Sequence, residues 1–167
     1  MDDIPISAAS SSDIAEIIEI YNQVILSSTA VFSDLPVTVE DRLEWLESRR
    51  ARGFPIHVAR DAGRTVAFAS YGDFRAWPGY RTTVEHTVHV AESHRRRGIG
   101  KRLVEALIEH AGNAGLHVMV AGVDADNRAS LELHEGLGFE RVAQLHQVAR
   151  KFDRWIDLVL LQLTLEP

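Results

Sequence analysis

Cysteine is absent from the 167-residue chain. That removes disulfides, thiolate nucleophiles and cysteine-ligated metals, and it suits a reducing compartment. Long apolar runs are absent too: none approaches the roughly 18 residues of a membrane span. The first ten residues, MDDIPISAAS, are acidic and lack the apolar core of a secretory signal. The expectation is a soluble, cytoplasmic protein with no membrane partner. Nor is there an excess of positive charge, since 18 Lys+Arg stand against 24 Asp+Glu for a formal charge of −6. Nucleic-acid binders carry a basic balance that neutralises phosphates, so nucleic acid is disfavoured as a partner. No repeat and no linker beyond the short SAASSSD stretch divides the chain, and residues 1–167 are read as one domain.

What is present is an ordinary apolar fraction, 46%, arranged with clear periods. Ser12 or Asp13 can cap a helix in which Ile14, Ile17, Ile18, Tyr21 and Ile25 share a face. Pro36 interrupts, and Thr38 to Asp41 has the form of a capping box for a second helix that ends at Gly53. The stretch PIHVARDAGRTVAFASYGDF reads as two short strands around an Ala-Gly turn, and YRTTVEHTVHV as a third. Leu103, Val104, Leu107, Ile108 and Ala111 then mark an amphipathic helix closed by Gly112 or Gly115. LHVMVAGV is a buried strand, DNRASLELHEGLGF a short helix closed near Gly136 or Gly138, and WIDLVLLQLTL a final strand. This mixed order favours an α+β fold, a mostly antiparallel sheet flanked by helices.

Between the third strand and its helix lies HRRRGIGKRL, residues 94–103. A helix N-terminus presents unpaired N–H groups and the positive end of the dipole, and glycines let a phosphate approach the backbone. Gly98 and Gly100 leave those amides uncovered. The third glycine of the dinucleotide fingerprint is missing, and no GxxxxGK[ST] occurs. A solvated basic turn is the bland alternative.

The pattern Arg95-x-x-Gly98-x-Gly100 resembles the coenzyme A pyrophosphate loop of the GNAT N-acyltransferases. Asn127, Ser130, Gly138 and Phe139 resemble that superfamily's second signature, with His134 where a Tyr is usual. LHEGLGF and VEHTVHV are similar to the branch that acetylates phosphinothricin, methionine sulfoximine and methionine sulfone, and the resemblance runs from about Ile4 to Leu165. It implies the GNAT fold, a bent mixed sheet of about seven strands whose central parallel pair splays to hold acetyl-CoA. It also implies coenzyme contacts: Val88, His89 and Val90 on the pantetheine, Arg95, Arg96, Arg97, Gly98, Ile99, Gly100 and Lys101 on the phosphates, Asn127 and Ser130 along the arm. A homodimer is implied as well, with Lys151 and Phe152 in a late loop that reaches the neighbouring subunit's site.

Acetyl transfer to an amine needs a base, a donor for the oxyanion and a proton for the leaving thiolate. Glu85 is the expected base, its pKa raised by burial. His134, titrating in the right range unaided, is the expected acid or relay, with the reverse assignment open. Val90 N–H is the expected oxyanion donor. Outside this context a strand Glu is usually solvated and a helical His a hydrogen-bonder. Arg75 is the candidate cation for an acceptor carboxylate, and Phe32, Trp77, Tyr80 and Thr87 are candidate walls of its slot; ordinary loop packing explains the aromatics about as well. No metal site is expected from the eight histidines, because His86 and His89 fall on opposite faces of a strand. Acetylation of another amine or a protein N-terminus, and a non-catalytic acyl-CoA-binding module, are the competing readings.

Overall fold

Residues 4–165 are described by a computed structural model. Strand β1 (Ile6–Ala8) leads into a capping box in which the Ser10 amide donates to Asp13 Oδ2 at 2.7 Å. Helix α1 (Ile14–Ser27) follows and buries Ile14, Ile17, Ile20, Val24 and Ile25. Ile18 and Tyr21, expected on that face, are only half-buried at its margin. Helix α2 (Val39–Ala51) starts from the expected box, Thr38 N–H to Asp41 at 2.8 Å and Asp41 N–H to Thr38 Oγ1 at 3.2 Å. Strands β2 (Ile56–Asp61) and β3 (Arg64–Asp73) are joined by Ala62 and Gly63, both left-handed, as a two-residue hairpin turn requires.

Strand β4 (Thr83–Val90), helix α3 (Ile99–Asn113), strand β5 (Val118–Asp124) and helix α4 (Arg128–Glu135) occupy the predicted stretches. The chain ends in a long hairpin, β6 (Glu140–Lys151) and β7 (Arg154–Thr164), turning through left-handed Phe152 and Asp153. The β1 and β6 segments carry no strand signal. One is three residues long, and the other is exposed along nearly its whole length, so neither shows an alternating apolar pattern.

The strand order is β1-β2-β3-β4-β5-β7-β6. Every pairing is antiparallel except β4 with β5. One face packs against α3 and α4, with Leu103, Leu107 and Met119 fully buried; each such side chain contributes about 1.5–3 kcal/mol. The opposite face packs against α1 and α2 through Ile17, Leu46, Val58 and Phe68.

Candidate active site

The parallel pairing of β4 with β5 covers only Thr83, Val84 and Glu85 against Val118, Met119 and Val120. Beyond that the two strands separate. On β4 the odd-numbered backbone groups point to β3: Phe74 N–H donates to Thr83 O, and Ala91 N–H donates to Val66 O. Alternation therefore turns the N–H and C=O of Val88 and Val90 into the gap, where β5 no longer meets them. The gap is lined by backbone that needs a partner. The Val90 carbonyl meets the Arg95 Nε–H at 3.2 Å. His89 departs from its expected place: its backbone is opposite Phe68 of β3, and its buried ring lies against Tyr21 and Phe68 on the α1 side.

The glycine loop opens beside this gap. Gly98 is left-handed, φ 77°, and forms the N-cap of α3 without any side-chain cap, leaving the amides of Ile99, Gly100 and Lys101 free of helical partners. Ile99 turns its side chain into the core. A Cβ on Gly100 would lie 3.4 Å from Leu133 of α4, 3.6 Å from Val90 and 3.9 Å from Val88, which brings helix start, second helix and gap together. Arg96 adopts a left-handed conformation in the exposed turn. Arg97 pairs with Asp61 at 3.5 Å and Lys101 with Glu105 at 3.8 Å. Such surface pairs contribute about 0–1 kcal/mol and exchange readily for a phosphate. Asn127 caps α4 by accepting from the Ser130 amide at 3.2 Å. Uncapped amides, surrounding cations and unpaired strand groups fit the phosphates and amide-bearing arm of a coenzyme A thioester.

Glu85 points to the other side of the sheet. Its Oε1 lies 3.1 Å from where a Cβ on Gly122 of β5 would sit, so this exposed glycine makes room for the carboxylate. Burial raises the Glu85 pKa, and the positive charge of Arg75 pulls it back in part. Arg75 is exposed, stacks on Phe74 and makes no ion pair among the described residues. Thr87, Tyr80, Trp77 and Phe32 are exposed, Trp77 most of all. Gly122 was not singled out by the sequence reading; its signal was a glycine inside an otherwise apolar strand.

His134 lies on the α3 and α4 side of the sheet, away from Glu85, and is buried. Its Nδ1 is 2.6 Å from the Ser130 carbonyl, which only accepts, so Nδ1 carries the hydrogen. In the neutral ring Nε2 then accepts from His86 Nε2–H at 3.1 Å. The remaining His86 nitrogen, Nδ1, is buried without a partner. Burial holds His86 down to about 3, aided by His134 and His89, and burial also lowers His134 against the opposing Ser130 bond. The expectation that His134 titrates unaided near neutrality is thus corrected: desolvation keeps the ring neutral. The sequence hid His86 because its partner is 48 residues away.

Lys151 also needs correction. It closes β6 instead of riding on a loop, and its buried amine donates to the carbonyls of Ile25, Ser28 and Val31 at 2.5, 2.8 and 2.7 Å. The bonds to Ile25 and Ser28 cap the C-terminal end of α1, where a cation suits the helix dipole, and the third reaches Val31 beyond it. It is not free for a substrate or a neighbour's site. Phe152, in the turn, is exposed.

The profile of the acetyltransferase (GNAT) family matches residues 17–139. The L-methionine sulfoximine/L-methionine sulfone acetyltransferase of Pseudomonas aeruginosa is 46% identical over 157 residues, covering 93% of this chain and 91% of that protein. The structure of yncA from Salmonella typhimurium with its cofactor acetyl-CoA superposes with a TM-score of 0.97 at 42% identity, covering 99% of this chain and 96% of that one. A GNAT superfamily phosphinothricin acetyltransferase from Sinorhizobium meliloti, in complex with acetyl-CoA, gives a TM-score of 0.94 at 28% identity, covering 97% of this chain and 88% of that one.

Proposed function

The chain belongs to the acetyltransferase (GNAT) family, and on that premise we propose that it transfers acetyl from acetyl-CoA to the α-amino group of a small amino acid of the methionine sulfone, methionine sulfoximine or phosphinothricin type. The observation that carries this reading is the pairing of an open β4–β5 gap with a desolvated Glu85 on the far side of the same strand. The thioester enters from the α3 and α4 side, the amine from the α1 and α2 side, and they meet through the gap.

Glu85 takes a proton from the acceptor ammonium, directly or through water, and frees the nitrogen lone pair. The nitrogen attacks the thioester carbonyl carbon, a C–N bond forms, and the oxygen charge falls on the Val90 N–H. The C–S bond then breaks, and the thiolate takes up the second proton released by nitrogen. His134 is neutral, with Nδ1–H committed to Ser130, so it relays this proton, one of its two expected roles, by exchanging the His86 bond at Nε2 for one toward the departing sulfur. Arg75 binds the acceptor carboxylate, and Phe32, Trp77 and Tyr80 close around its side chain.

The protein acts in the cytoplasm as a homodimer in this reading. Support comes from β6, an edge strand of 12 residues exposing Val142, Leu145 and Val148, with Phe152 and Trp155 exposed at its turn. Lys151 has no part across that interface.

Thiol release from acetyl-CoA across a panel of free amino acids and N-terminal peptides tests the proposal. Turnover is expected with methionine sulfone, methionine sulfoximine or phosphinothricin, and loss of Arg75 should raise KM for these acceptors only. Turnover confined to peptides refutes the acceptor assignment.

A further inference from the structure

Helix α2 turns two guanidinium groups toward the acceptor side of the sheet. Arg42 lies over the rings of Tyr21 and Trp45, at 4.9 and 5.1 Å. Arg49 lies across Gly72 of β3, its Cζ and Nη2 each 2.6 Å from where a Cβ would stand. The Nε of both is buried without a hydrogen-bond partner. Arg49 makes no ion pair among the described residues, and Asp73, whose charge reaches it, is held by Arg52 at 2.7 Å. Arg49 stacks on Phe54 at 5.9 Å, which uses the face of the guanidinium and leaves its N–H edge without an acceptor, a costly state for a half-buried cation.

Its position gives the fork a use. Gly72 is the cross-strand neighbour of Glu85, so Arg49 and Glu85 share one face. The Glu85 carboxylate leans the other way, over Gly122. Fork and carboxylate thus sit over two glycines on either side of β4, two strand spacings apart, on the order of 10 Å. An amino acid whose side chain ends in S=O or P=O spans about that distance when hydrogen-bonded at both ends. Arg75, whose charge is felt at Glu85, is the cation nearer the amine and serves the α-carboxylate. Arg49 faces what lies farther along the acceptor.

We infer that Arg49 is a specificity-determining residue whose fork receives the sulfonyl, sulfoximine or phosphinyl oxygens at the end of the acceptor side chain. This rests on the amino-acid acceptor proposed above. A planar guanidinium suits two oxygens on one tetrahedral centre, and it gains nothing from the bare thioether of methionine.

The test is the ratio of kcat/KM for methionine sulfone to that for methionine, measured with the full-length protein. Wild type is expected to prefer the sulfone, and Arg49→Met to lower the ratio about tenfold or more with KM for acetyl-CoA unchanged. Gly72→Ala keeps the arginine but fills the place of its fork, and should move the ratio the same way. Arg49→Lys, keeping the charge without the fork, should restore only part of it. An equal fall for both acceptors, an unchanged ratio, or a wild type without sulfone preference overturns the inference while leaving acetyl transfer to amino acids intact. A wild type that acetylates no amino acid refutes the parent reading, and the role of Arg49 with it.

Discussion

At the scale of single residues, chemistry follows from what each group is denied. Glu85 is denied solvent on one side of β4 and given room by Gly122, so burial lifts its pKa while Arg75 moderates the rise. A base must be ionised to work, so kcat/KM should fall as pH drops through this raised pKa, above the usual carboxylate range. Glu85→Gln should cost about 10²- to 10⁴-fold in kcat and erase that acid limb. A pH profile of kcat/KM on both proteins reads the result directly, and an unchanged limb in the variant removes Glu85 as base. The place of Glu85 on a strand was legible because its motif is short and local. His86 was not, because two neutral histidines share a hydrogen bond only after α4 has docked on the sheet. Arg49 was hidden for the same reason, as only packing sets a helix arginine over a strand glycine.

Among the elements, amphipathic helices and half-buried strands announced themselves by period, and the β6–β7 hairpin did not. The exposed β6 has no buried face to impose alternation, and its register slips near residues 142 and 146–148. Lys151 was consequently placed in a loop. In the structure it ties this hairpin to the end of α1, and through Val31 to the segment that carries Phe32. Lys151→Met should therefore cost about 2–4 kcal/mol, since three carbonyls lose a charged donor. A fall in Tm of about 5–15 °C follows for a domain of this size. Differential scanning calorimetry checks it; a Tm within a degree of wild type would show that the amine is not holding the hairpin.

For the whole molecule, a single parallel pairing in an otherwise antiparallel sheet creates the candidate site. Parallel strands joined through α3 meet for three residue pairs and then part, leaving the strand backbone and the uncapped start of α3 around one opening. The strand-to-helix glycine loop was readable in sequence, and the resemblance supplied the splay; the extent of the gap and the side each group faces came only from register. The opening makes a site for acetyl-CoA only if its backbone groups are the ones the coenzyme engages. Amide hydrogen exchange at Val88 and Val90, measured with and without acetyl-CoA, tests this most directly. The predicted result is strong protection of those two amides on adding acetyl-CoA, with His89 and Ala91, already bonded to β3, unchanged. Exchange at Val88 and Val90 that stays the same under saturating acetyl-CoA would contradict the account.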